Sequence, residues 1–363
     1  MKFTISGDSH GNDIIGIMEG LPAGLKINIE TINYALNKRK RHYGRGQRAH
    51  FEQDNAEINS GLWKGVTTGA PITVRIKNNA NNTEKNLRTV PRPGHGDYSA
   101  YSKYGLEDLN IYTERNSARW TCALTALGNI SKQYLNFFGI RTLAFTYSVG
   151  HLNLFSYSND FDLITKERDE SIVFCPDEGM TLRMIEIINR AFHEGDTLGG
   201  RVKVIVNNLK PGIGGYSSLF EKLESRISQT LMIIPSMKGI IFGNTDFSNK
   251  GSQYHDPFYL DNYGNICRST NNAGGIEAGL TNGQNIESTL YFKPIPTLRK
   301  PLDSVDLKTK TIVKAPYIRS DVTVVPSAAI IAENAICIPI MEAICERFGN
   351  DNIEEIKKRY DMI

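Results

Sequence analysis

The chain has 363 residues, room for one large domain or two average ones, and either way for a full hydrophobic core. Its 40% hydrophobic and 22% charged content is ordinary for a globular protein, and a net charge of +3 is too small to argue for nucleic acid by itself. The start, MKFTISGDSHG, lacks the long apolar stretch of a signal peptide, and no apolar run is read as a bilayer span, so no membrane and a cytoplasmic location are expected.

In chain order, KFTISG and DIIGIME predict short strands that end in the turn GLPAG. ETINYALNKRK predicts a helix through the spacing of Ile32, Tyr34, Ala35 and Leu36. AEINSGLWKGVTTGAPITVRIKN predicts paired strands around a glycine-rich turn. RPGHGDYSAYSKYG, residues 92–105, is too rich in glycine and proline for a helix interior or a central strand and reads as a shaped loop. The longest helix of the first half, ALTALGNISKQYLNFF, falls within 117–138, and strand RTLAFTYSVG follows. The second half predicts helix LRMIEIINRAFHEG, strand GRVKVIVNNLKPGIGG, helix SLFEKLESRISQTLMII and strand MKGIIFG. Residues 244–288, polar and rich in Gly and Asn, read as one long irregular loop, of the kind that is usually functional or mobile. A helix AAIIAENAICIPIMEAICERFG and a short charged helix close the chain. IIGIMEGLPAGLKI and VKVIVNNLKPGIGG both run from strand into a proline–glycine turn, a hint of two related halves. With no clean linker, residues 1–363 are expected to form a single large α+β domain of mixed layers.

Most of the uncommon residues gather in irregular glycine-rich segments, where functional sites tend to lie. His10 in SGDSHGND and His95 in RPGHGD are the two histidines of seven that are flanked by glycine with an aspartate nearby. An imidazole titrating near neutrality can move a proton, and an ordinary loop histidine is the competing reading for each alone. His151 and His193 fall at element ends and read as structural. Arg39, Arg45, Arg48, Arg92, Arg115, Arg119 and Arg319 lie in or beside the same segments, and several converging forks suit a small polyanionic ligand. The basic run NKRKRHYGRGQR, residues 37–48, also fits a solvated helix end or an RNA-contacting arm. RNSAR offers Ser117 and free N–H groups as a phosphate seat at a helix start, though a plain helix cap would look the same. Asn271, Asn272, Gly274 and Gly275 could let a flat ligand approach bare backbone. No GxGxxG follows a strand, so a Rossmann fold has no support. The five cysteines are scattered, odd in number and form no CxxC pair; they read as reduced and structural, and no metal is expected.

Taken together, these segments resemble the chorismate synthase family. GDSHG is similar to the family's GESHG, RPGHGDYSAYSKYG to its RPGHAD…KYG, and ERNSAR to its ERASAR. NNAGGIEAGLTNGQNI resembles its glycine-rich loop, KPIPT its KPTPS-type segment and RSDVTVVP its RHDP…VP, so the likeness spans more than 300 residues in order.

The resemblance implies a β-α-β-α sandwich of antiparallel sheets and helices, assembled as a homotetramer. It implies a lyase that converts 5-enolpyruvylshikimate 3-phosphate to chorismate and phosphate by 1,4-elimination, using reduced FMN with no net redox change. By similarity, His10 would protonate the departing phosphate or its surroundings and His95 the flavin, Asp321 would take part in proton transfer through the flavin N5, and Ser9 would help orient the site. The positions matching FMN contacts are Arg115, Asn116 and Ser117, then Pro235, Ser236 and Ala278, then Lys293, Pro294, Ile295, Pro296 and Thr297, and Arg319. Arg39 and Arg45 match positions associated with NADP and, with Arg48, are expected to face the substrate phosphate. The chain departs from the family pattern at Trp120, Leu124, Ala278, Ser320, Val322 and Ser327. It shows no added segment for a flavin reductase, so a monofunctional enzyme is expected, fed by an external reductase with NADPH as a source of reducing equivalents. A nucleic-acid-binding module, for RNA or DNA, and a flavin oxidoreductase that consumes NADPH are the rival readings.

Overall fold

The structure, a computed structural model, describes residues 2–41, 43–44, 54–78, 86–318 and 321–362. Strands β1 (Lys2–Ser6) and β2 (Asp13–Glu19) are followed by helix α1 (Ile29–Lys40). Then come β3 (Ala56–Ser60), the short pair β4 (Leu62–Trp63) and β5 (Val66–Thr67), and β6 (Ile72–Lys77). Three helices, α2 (Asp97–Tyr104), α3 (Leu109–Asn116) and α4 (Thr121–Phe137), lead to β7 (Arg141–Val149) and β8 (Leu152–Asn153). Helices α5 (Phe161–Glu170) and α6 (Glu178–Glu194) precede β9 (Gly200–Asn207), α7 (Leu223–Met232) and β10 (Met237–Phe242). After the single turn α8 (Gly251–Tyr254) come two hairpins, β11 (Phe258–Leu260) with β12 (Ile266–Arg268) and β13 (Ile276–Glu277) with β14 (Leu280–Thr281). The chain ends with β15 (Ile286–Phe292), β16 (Asp303–Val305), β17 (Ile312–Lys314), α9 (Val325–Ala335), α10 (Cys337–Phe348) and α11 (Ile353–Asp361).

Two antiparallel sheets organise these elements, one ordered β1-β2-β6-β3 and the other β10-β15-β9-β7-β8. In the first, period-two alternation puts Ile14 and Met18 of β2 opposite Ile76 and Ile72 of β6, all fully buried. Helix α4 packs on β2 and β6 and also on α9, which packs in turn on β7 and β9. Residues Thr121 to Ser131 of α4 and all but Ser327 of α9 are buried, as expected of helices covered on every side. Glu333 of α9 ties this interior together, accepting from Lys132 of α4 and Arg168 of α5 at 2.5 Å and from the Ala144 N–H of β7 at 3.1 Å. Burial by itself would raise its carboxyl pKa, but the Arg168 and Lys132 charges outweigh that effect and hold it well below the usual carboxylate range.

Three expectations change. The 92–105 stretch is a loop only to Gly96; Asp97–Tyr104 is helical, and the glycines that argued against a helix mark its ends, Gly96 before it and Gly105 at φ 70° after it. Residues 244–288 are not one irregular loop, since they hold α8, two hairpins and the start of β15, a strand inside the larger sheet. The closing apolar helix is two helices, α9 and α10, because Pro339 has no N–H to give the Ala335 carbonyl. Together they form a 24-residue run, Val325–Phe348, long and apolar enough to cross a membrane, contrary to the sequence reading, yet 94% of its most apolar window is buried inside the protein.

Gly128 decides how closely α4 and α9 approach: a Cβ there would sit 2.5 Å from the carbonyl carbon and oxygen of Asn334. Gly128→Ala in an exposed helix would add stability of about 1 kcal/mol through propensity. Here it should instead cost roughly 1–3 kcal/mol by overpacking. Urea unfolding measures the sign, and a stabilised variant would refute this packing.

Candidate active site

The loops leaving these layers converge on one cavity of about 1600 Å³. Ser9 and His10 reach it from the β1–β2 loop, and His95 from the loop before α2. Arg115 and Asn116 reach it from the end of α3, with Ser117 just beyond. Arg39 contributes from the last turn of α1 and Asp321 from the segment before α9. Pro235 and Ser236 line it at the start of β10, and Lys293, Ile295, Pro296 and Thr297 line it after β15. Pro294 and Ala278 do not line this cavity; Ala278 is exposed at the tip of the β13–β14 hairpin with φ 52°. Arg45, Arg48 and Arg319 lie outside the described residues.

Arg39, Arg88, Arg92, Arg119, His10 and His95 at the wall are each backed by a carboxylate. Asp97, fully buried at the first turn of α2, accepts from Arg92 Nε at 2.9 Å, from Arg88 Nη1 at 3.0 Å and from His95 Nδ1 at 2.8 Å. Burial acting alone would raise the Asp97 pKa and is the largest single effect, but the hydrogen bonds and charges of His95 and Arg92 together outweigh it and keep the group ionised far below the usual range. Asp54, also buried, accepts from Arg39 Nη2 at 3.0 Å and from Arg119 Nη1 at 2.6 Å. Its pKa is lowered too, the two guanidinium charges overcoming burial. Glu114 of α3 pairs with His10, Oε1 to Nδ1 at 2.9 Å. Arg39 therefore reaches the cavity with its guanidinium already engaged by Asp54 and by Thr121 Oγ1 at 3.0 Å.

Helix α3 joins the two histidine loops. Thr113 Oγ1 accepts from Arg88 at 2.5 Å and from Arg92 at 3.1 Å, while one turn on Ser9 Oγ donates to Ser117 Oγ at 3.0 Å. The approach is tight, because a Cβ on Gly96 would meet Asn116 Nδ2 at 2.9 Å. Sequence RNSAR thus lies at a junction of helices and not at the start of the long one: Asn116 ends α3, Ser117 caps a single 3-10 turn (Ala118–Trp120) by accepting the Arg119 N–H at 3.3 Å, and α4 begins at Thr121. The capping alternative describes Ser117.

The remaining wall is less polar, formed by Ile233, Ile234, Pro235, Ile295 and Pro296. Ser236 holds φ 67°, a conformation that side chains other than glycine rarely adopt, and its carbonyl accepts the Lys293 N–H at 2.9 Å. Lys293 Nζ donates to the Gly94 carbonyl, and burial followed by the nearby Lys238 charge lowers its pKa. The glycines at 274 and 275 are required by the chain's own packing: a Cβ on Gly274 would lie 2.2 Å from Gly243 N, and one on Gly275 2.3 Å from Asn285 O.

Beyond geometry, the model of the family described as chorismate synthase matches residues 1–345. The chain belongs to the chorismate synthase family. The chorismate synthase of Thermotoga maritima is 49% identical over 361 residues, covering 99% of this chain and 96% of that protein. The chorismate synthase of Carboxydothermus hydrogenoformans is 40% identical over 373 residues, covering 99% and 97%. A crystal structure of chorismate synthase superimposes with a TM-score of 0.82 at 30% identity, covering 99% of this chain and 96% of that one. As a family member the chain is an enzyme of the shikimate pathway, the lyase that converts 5-enolpyruvylshikimate 3-phosphate to chorismate.

Departures from the chorismate synthase pattern fall in different surroundings. Trp120 lines the cavity with its ring 6.0 Å from the Arg115 guanidinium, whereas Leu124 is fully buried in the core. Ser327 Oγ donates to the Arg39 carbonyl at 2.9 Å, Val322 is buried, and Ser320 lies outside the described residues. Sequence reasoning passed over Arg88, Asp54, Thr113 and Glu114 as site residues. Glu114 opens the quoted ERNSAR motif, a signal within reach; Asp54 and Arg88 stand in no motif, and only the fold brings them to the wall.

Asp97→Asn should leave Arg88 and Arg92 buried without their counter-charge and cost roughly 3–5 kcal/mol at neutral pH. Because the folded Asp97 pKa lies below its unfolded value of about 3.9, its contribution is complete above that value and fades as pH falls further. Thermal melts from pH 6 downward should show a steeper acid loss in the native chain than in Asp97→Asn, and parallel curves would refute the assignment.

Proposed function

We propose that the elimination takes place in this cavity with reduced FMN held beside the substrate, and that the enzyme receives the cofactor from an external flavin reductase, with NADPH as a source of reducing equivalents. One observation carries the reading: a single space of about 1600 Å³ joins two carboxylate-held histidines, an arginine cluster and an apolar wall. A pocket for one small ligand typically measures about 300–1,000 Å³, so there is room for two. The residues fit both. The apolar wall from Ile233 to Pro235 and from Ile295 to Pro296 suits a flat ring, and Lys293 and Arg115 suit its phosphate tail. Reduced flavin, when bound, supplies an electron-rich ring to the breaking C–O bond.

The chain's own groups supply position and charge. Arg92, Arg119 and Arg39, held from behind by Asp97 and Asp54, present a fixed positive field to the carboxylates and phosphate of the substrate. His10 delivers a proton from its ring to the departing phosphate, and Ser9 holds the loop against Ser117. His95, fixed by Asp97, is the second proton-carrying ring, and Asp321 is the cavity carboxylate that takes part in proton movement. Arg45, Arg48 and Arg319 complete the set by similarity.

The same proposal includes one domain over 1–363, supported by a hydrophobic core cluster that runs from Ile14 to Tyr360, and a β-α-β-α sandwich order with an internal pseudo-repeat, supported by β2 and β9 each lying inside its sheet. A homotetramer is supported by exposed Phe258, Leu260, Tyr263 and Ile266 on one hairpin, and a cytoplasmic location by the burial of 325–348.

An anaerobic assay with reduced FMN should release chorismate and phosphate one for one and leave the flavin reduced. Stoichiometric NADPH consumption, or turnover with oxidised FMN and NADPH alone, would overturn this reading. His10→Ala and His95→Ala should each lower kcat by roughly 10²–10⁴-fold while flavin binding, followed by absorbance titration, largely survives. Unchanged rates would remove that histidine from the reaction.

A further inference from the structure

We propose that Glu114 is a positioning residue that sets the tautomer and orientation of His10, an inference that rests on the reading of His10 as the proton donor. Its carboxylate grips that residue twice, accepting the backbone N–H on Oε2 at 2.8 Å and ring Nδ1 on Oε1 at 2.9 Å. An ionised carboxylate has no hydrogen to give, so the shared proton belongs to Nδ1. Nε2 is then the ring nitrogen that would carry the transferable proton, in a ring that lines the cavity. Holding main chain and ring with one group removes freedom about both side-chain torsions of His10.

Glu114 is itself held firmly. It lies in the last turn of α3, its own carbonyl accepts the Ser9 N–H at 3.2 Å, and Thr113 beside it is engaged by Arg88 and Arg92. The His10 and Glu114 side chains are 18% and 22% exposed, which keeps the pair from being fully screened by solvent. During the reaction the Nε2–H bond breaks and its proton passes to a phosphate oxygen of the substrate. The imidazolium becomes the neutral Nδ1–H imidazole, still bonded to Glu114, and no proton moves to the carboxylate. Lost orientation or a wrong tautomer of a catalytic histidine lowers the rate with little effect on binding.

The test is a double-mutant cycle with a spectroscopic arm. Glu114→Gln should lower kcat roughly 10²–10³-fold with KM within about threefold, as when the orienting partner of a catalytic histidine is changed. In the His10→Ala background the same substitution should change kcat less than about twofold, because Glu114 acts through a ring that is no longer there. Equal losses in both backgrounds, or no loss in the single variant, would overturn the proposal. With ring-¹⁵N histidine, no ligand present and the pH raised until the ring is neutral, the His10 signal should be Nδ1-protonated in the native chain and in Glu114→Asp, and should move toward the Nε2–H tautomer in Glu114→Gln. An unchanged tautomer in Glu114→Gln would also overturn it. Should Glu114→Gln not fold, Glu114→Asp decides: partial kcat with Nδ1–H retained supports the role, and Nδ1–H lost overturns it. If His10→Ala alone keeps native rates, the reading of His10 fails, while the spectra still report on Glu114.

Discussion

The site depends on burying positive charge without leaving it uncompensated. Arginines and imidazoles at a cavity wall can grip an anionic substrate only if they are already ordered, and ordering them out of water is expensive unless carboxylates stand behind them. Asp97, Asp54 and Glu114 do this for Arg88, Arg92 and His95, for Arg39 and Arg119, and for His10. Asp97 and Asp54 stay ionised because cations and hydrogen-bond donors converge on them, and all three carboxylates limit the torsions of the groups they hold. The outcome is a preorganised field, the arrangement that stabilises developing negative charge without reorganising at the moment of reaction.

Helix α3 is where these pairs are brought into register. Thr113, Glu114, Asn116 and Ser117 lie within about one turn and touch, in order, the arginines of the His95 loop, His10, Gly96 and Ser9. A short helix is stable here because both of its ends are satisfied: Asp108 accepts the Asn110 N–H at 2.9 Å, and the Ser117 N–H returns to the Thr113 carbonyl at 3.0 Å. The same few residues therefore transmit the position of one histidine loop to the other. A disturbance in α3 would reach both rings at once.

Beneath the site, small side chains set the layer spacing. Gly128 on α4 meets the backbone of Asn334 and Ala335 on α9, the Asn129 amide donates to Asn334 at 3.0 Å beside it, and Ala123 of α4 lies against Gly16 of β2. The larger sheet is completed by β15, whose far end carries the chain into Lys293 and the apolar wall of the cavity. The scaffold and the wall are thus continuous in the chain, and the rigidity of one serves the other.

Local pattern alone was enough for the elements whose periodicity is strong: β2 and β6 by alternation, α1, α4 and α6 by helical spacing, and the motifs around His10, His95 and Arg115 by their residues. The same pattern misread α2, where glycines that terminate a helix resemble glycines that forbid one. It also missed β15, which begins in a polar run and becomes a strand because β9 and β10 flank it. The pairing of His10 with Glu114 spans 104 residues, and that of Arg119 with Asp54 spans 65. The sequence by itself determined which chemical groups the protein possesses and its family resemblance; only tertiary structure decided which carboxylate faces which cation, since a charge is neutralised by its neighbours in space and not by those along the chain.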